Sequence, residues 1–243
     1  MLVLAALVLV TGCRVQLTTT LTVEDDGSGT LTQAVGFDDA ALARVGDLSQ
    51  QLAVDDLRAA GWTVDDPVRE GDTTWVRAHH DFDDADEANV LLAQLSGPDG
   101  PYREMVVTRT SSLISTSTEV RGTVDLSAGI AMFGDDQLTA LLGPDGSAGL
   151  VPRIEQEEGR PAEEMVEVTF VAELPGTTES VGGVLGSPPQ PVDVSSSQNH
   201  LLSLFGKVVL AALVVLTALV IGLRVRVRRR RRRRMMRSNL PRR

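Results

Sequence analysis

The chain has 243 residues, 23 basic against 33 acidic, a formal net charge of −10 and a single cysteine. One cysteine excludes an intrachain disulfide framework. The net charge averages two opposite regions. Residues 14–200 hold ten arginines and all 33 acids, a net of −23, whereas Lys207 and twelve arginines from Arg224 onward make the carboxyl end basic. Such asymmetry points to a membrane or nucleic-acid partner for that end.

The chain opens MLVLAALVLVTGCRV. Leu2 to Val10 is an apolar run of signal-peptide h-region length, too short to span a bilayer. Val10-Thr11-Gly12-Cys13 follows, a branched apolar residue and two small ones before the cysteine. This is the pattern of a bacterial lipobox, with cleavage between Gly12 and Cys13 and a lipid thioether on Cys13. A buried thiol acting as a small hydrophobe is the competing reading. Only Met1 precedes the run, so its positive charge comes from the amino terminus itself or from a start further upstream.

Residues 1–12 are thus expected to be a lipoprotein signal peptide and 13–175 an exported domain. Val15 and Leu17 alternate with polar residues in Arg14 to Glu24, a strand pattern. Asp25-Asp26-Gly27-Ser28-Gly29 reads as a turn, and Thr30 to Phe37 as the returning strand. A calcium loop there would need further acids at set spacing. Asp38 to Ala60 reads as one helix, capped by Asp38 and Asp39 and ended by Gly61, with Ala41, Val45, Leu48 and Leu52 on one face. Trp62 to Arg69 and Thr73 to His80 read as a hairpin whose first strand, holding Pro67, lies at an edge.

The acids of Asp81 to Glu87 precede a helix face of Ala88, Leu91, Leu92 and Leu95, where acids complement the helix dipole rather than bind a metal. Arg103 to Asp125 reads as two strands turning near Ser111-Ser112, Asp135 to Leu142 as a short helix, and Met165 to Leu174 as a half-buried strand. The fold class expected is α+β, an antiparallel sheet with two longer helices. Residues 176–200, rich in Pro, Gly and Ser, read as a linker.

Leu201 to Leu223 is 23 residues long with one charge, Lys207, which can snorkel. At 1.5 Å per residue it spans a hydrocarbon core of about 30 Å. The arginine-rich 224–243 then stays cytoplasmic by the positive-inside rule, against anionic inner-leaflet lipids. It has no aromatic residue on which bases could stack, so nucleic acid is not the expected partner. The acidic domain is therefore expected to be extracytoplasmic, in a single-pass membrane protein also anchored at Cys13.

This layout resembles the LppM-domain lipoproteins of actinobacteria. Cys13, Val15, Asp26-Gly27-Ser28-Gly29-Thr30 and Phe170 to Gly176 carry the resemblance. It implies a non-enzymatic cell-envelope domain with a lipid or glycolipid ligand. It carries over no ligand-contacting residue.

No enzyme, cofactor or metal is expected from the residues either. His79 and His80 are adjacent and point to opposite faces of a strand, and no nucleophile elbow, Walker loop or HExxH is present. A protein-interaction or scaffold module in the envelope is the alternative. A net charge of −23 repels anionic lipids, so a lipid ligand would require an apolar pocket rather than a basic surface.

Overall fold

The computed structural model describes residues 13–45, 54–96, 100–112, 114–129 and 155–199, with Met132 and Pro152. Residues 1–12, 201–223 and 224–243, read as signal peptide, membrane span and cytoplasmic tail, lie outside the described residues, as does the helix expected at 135–142. Among the described residues no helix is long and apolar enough to cross a membrane.

The described residues divide into two compact units, those up to 110 with those from 117 to 197, and 111–116 with 198–199. The first unit begins with β1 (Val15–Val23) and β2 (Gly29–Asp38), an antiparallel hairpin in which Leu21 faces Leu31 and Thr19 faces Gln33. Its turn is closed by Asp26, whose carboxylate accepts from the amide of Ser28 at 3.1 Å and from its hydroxyl at 2.7 Å. Gly27 takes φ +98, which a side chain rarely tolerates, and a Cβ there would run into Arg109.

Next come α1 (Asp39–Val45) and α2 (Val54–Ala59). Asp38 caps α1, accepting from the Ala41 amide at 2.7 Å. The short β3 (Thr63–Val64) and β4 (Val68–Glu70) both pair with β5 (Thr73–Phe82), and Pro67 falls between them at the sheet edge. Helix α3 (Ala85–Ser96) starts with a reciprocal cap. Asp84 accepts from the Glu87 amide at 3.0 Å, and the Glu87 carboxylate accepts from the Asp83 amide at 2.8 Å. The acids before this helix thus satisfy its free amides.

β6 (Tyr102–Ser111) and β7 (Ser115–Val124) follow as the sequence pattern predicts. A 3₁₀ turn at Ala162–Met165 leads into β8 (Val166–Leu174), then β9 (Thr177–Val184) and β10 (Gln190–Asn199). A seven-stranded sheet runs β3-β5-β2-β1-β8-β9, with β4 also on β5, and a three-stranded sheet runs β10-β7-β6.

Both sheets and α3 contribute to one core. It includes Leu21 and Leu31 of the hairpin, Leu92 of α3, Val107 and Val120 of the small sheet, Phe170 of β8 and Val194 of β10. Asn89 docks α3 on β6. Its Nδ2 donates to the Val107 carbonyl at 3.0 Å and its Oδ1 accepts from the Val107 amide at 2.7 Å, which covers part of an open strand edge. In the second unit, the described hairpin tip is held by Ser112, whose hydroxyl oxygen accepts from the Ser115 amide at 3.0 Å.

The expected α+β class is corrected: the described chain is mostly β, and only α3 exceeds seven residues among its α-helices. The sheet is also not purely antiparallel, since β1 and β8 pair in parallel, Leu17 opposite Val168 and Thr19 opposite Phe170. The linker expected at 176–200 is corrected too. Its Thr- and Val-containing pieces form β9 and β10. Gly182 is required in β9, because a Cβ there would lie 2.1 Å from the Val168 carbonyl oxygen. In β10 the buried residues are Val192, Val194 and Ser196, with exposed residues between them.

Candidate functional site

Two places combine polar groups with apolar surroundings, and both adjoin β1, which lies between β2 and β8 in the sheet. The first is a cavity of about 260 Å³. Leu17 of β1, Gln33 of β2, Leu95 and Ser96 at the end of α3, Gly100, Pro101, Tyr102 at the start of β6, and Met132 line it.

Beside it is a buried hydrogen-bond chain. The Thr19 hydroxyl is fully buried and donates to Gln33 Oε1 at 2.5 Å. With that proton committed, the Tyr102 hydroxyl, also 2.5 Å from Thr19, must be the donor to it. The Tyr102 to Thr19 to Gln33 sequence ends on a residue of the cavity wall. The Tyr102 ring packs on Phe170 with centroids 5.5 Å apart.

Burial pushes the Tyr102 phenol up to about 12. The phenol is therefore neutral at physiological pH. Since the folded value is raised, the stabilisation is complete below the ordinary value of 10.0 and is lost as pH rises towards 12. Such a shift corresponds to about 3 kcal/mol. Equilibrium unfolding measured from pH 9 to 12 should show this loss, and Tyr102→Phe should remove most of it. An unchanged pH profile in the variant would contradict the assignment.

The second place is Cys13. The sequence pattern selects this residue, and the structure sets it 9% exposed at the entry to β1. It packs in a small apolar cluster with Phe37, Ala41, Val76 and Met165. Burial raises the thiol above its ordinary value. Asp38 and Glu158 raise it further, and Arg44 and Arg160 oppose them. The folded chain thus disfavours the thiolate, the nucleophilic form. Gly12, the other side of the expected cleavage site, lies outside the described residues.

The structure keeps His79 and His80 on opposite faces of β5. His79 lies 3.8 Å from Asp65, and His80 stacks edge-on to Trp62. In β10, Ser196 is turned inward and its hydroxyl donates to the Pro175 carbonyl.

Sequence reading missed Thr19, Gln33 and Tyr102. One signal was present: Thr19 occupies an inward position in the alternation Val15, Leu17, Thr19, Leu21, Val23, and a polar residue there requires a buried partner. No such signal exists for Glu158, which reaches Cys13 across 145 positions.

The geometry defines a two-sheet β domain with a small, uncharged, partly apolar cavity at the core margin and a buried cysteine at the head of an interior strand. Among solved structures, the chain is similar to the folded domain of Mycobacterium tuberculosis LppM, determined by NMR, with 9% identity and a TM-score of 0.38, covering 77% of this chain and 91% of that one. No family model matches the sequence, and no curated protein matches it.

Proposed function

We propose that this chain is a cell-envelope lipoprotein, anchored at Cys13 and through 201–223, whose non-catalytic extracytoplasmic β domain holds part of a lipid or glycolipid. The cavity at Tyr102 carries the reading. Leu17, Leu95, Pro101 and Met132 supply apolar wall, and Gln33, Ser96 and Tyr102 supply uncharged polar groups.

Ligand pockets combine such walls with a few orienting polar atoms. At about 260 Å³ the volume is below the usual range for a whole drug-sized ligand. It suits a portion of a lipid, such as one chain end or one sugar, with the remainder outside. A neutral lining also lets an acidic domain take a ligand without a basic surface. Export and anchoring rest on the Val10 to Cys13 pattern, the apolar 201–223 and the arginines after it.

The test is native mass spectrometry of the full chain purified from membranes in mild detergent. Wild type should carry a lipid in excess of its covalent anchor, and Leu95→Trp, which fills the cavity, should lose at least nine-tenths of it. Equal lipid in both proteins would refute the cavity as the site.

A further inference from the structure

The main chain of Cys13 is held by charged groups from distant parts of the sequence. Its nitrogen donates to Glu158 Oε2 at 3.3 Å, and Arg160 donates to its carbonyl oxygen. Glu158, only 13% exposed in its side chain, also pairs with Arg44 at 2.5 Å, and Arg44 reaches Glu157 at 3.0 Å. Asp38 is the remaining charged group acting on Cys13. The side chain of Arg14 points to Glu167, 3.9 Å away. Glu158 and Arg160 thus grip the Cys13 main chain from its two sides, and Glu158 is itself held in place by Arg44.

We infer that this cluster receives the amino terminus created by cleavage before Cys13, with Glu158 as its counter-ion. The inference rests on the lipoprotein reading above. Hydrolysis of the Gly12–Cys13 bond adds one water. The hydroxyl goes to the Gly12 carbonyl carbon, and the Cys13 nitrogen leaves with hydrogen. At neutral pH the Gly12 acid loses a proton and the freed amine gains one. The nitrogen that becomes an ammonium already lies at hydrogen-bond distance from Glu158. Its positive charge and additional N–H groups strengthen a contact that the peptide amide makes with one N–H.

A neighbouring carboxylate favours the protonated amine, and a protonated amine is not a nucleophile. The thioether-linked form with an unblocked amino terminus is therefore the form this domain retains.

The experiment uses the full chain purified from membranes. The amino-terminal peptide is weighed, and reductive methylation of its α-amine in the folded protein is timed in wild type, Glu158→Gln and Glu157→Gln. The expected peptide begins at Cys13 with a free amine. Methylation should be about tenfold faster in Glu158→Gln, the effect of one pKa unit, and close to the wild-type rate in Glu157→Gln. Equal rates in wild type and Glu158→Gln, equal acceleration in both variants, or a wild-type amine already acylated would overturn the inference while leaving the lipoprotein reading intact. A peptide that still carries residues 1–12 would overturn both.

Discussion

Phe170→Ala is expected to destabilise the β domain by about 3–5 kcal/mol, the range for truncating a buried phenylalanine. Phe170 is 1% exposed on the inner face of β8. It stands opposite Thr19 on the parallel side and Val181 on the antiparallel side. Its ring also packs on Tyr102. Truncation therefore opens a void beside the buried Tyr102–Thr19–Gln33 chain and removes the surface that keeps Tyr102 in reach of Thr19. Against a total stability of about 5–15 kcal/mol, this is a large fraction. Denaturant unfolding should show a lowered midpoint with an unchanged slope. Phe170→Leu, which restores most of the volume, should cost less than half as much. A loss under 1 kcal/mol for the alanine variant would mean that β8 is not in the core.

Cys13→Ala is expected to abolish lipidation entirely, since Cys13 is the sole thiol in the chain. Replacement removes one sulfur atom from a small cluster, so the domain should stay folded, with a cost of about 1 kcal/mol. Metabolic labelling with a clickable fatty acid should fall to background, and residues 1–12 should remain attached. The protein should still sediment with membranes through 201–223. What it should lose is fixed orientation, because Cys13 leads at once into β1, which is flanked on both sides by other strands. Release of the variant from membranes would refute the span at 201–223. Retained label would refute the lipid attachment.

The local elements were readable where one physical signal dominated. The β1–β2 hairpin follows from alternation and a turn whose Asp26 and Gly27 have definite roles. The start of α3 follows from acids spaced to bond its free amides. β6, β7 and β8 follow from runs of Val and Thr. Beyond Leu174, composition misled. Proline and glycine suggest a linker, but Pro191 is the second residue of β10, an edge strand, where proline is tolerated. The alternation Val192, Val194, Ser196 was present within it.

By itself, then, the sequence determined the charge division, the hairpin turns and the alternation of most strands, since each is read directly along the chain. Tertiary structure decided the parallel pairing of β1 with β8, the closing strands β9 and β10, the partners of Thr19 and the contact of Glu158 with Cys13. The β1–β8 pairing, the partners of Thr19 and the contact of Glu158 with Cys13 join residues separated by 14 to 151 positions. Strand pairing and buried hydrogen bonds depend on which edges and polar atoms meet after collapse, and periodicity along the chain specifies a strand's faces but not its neighbours.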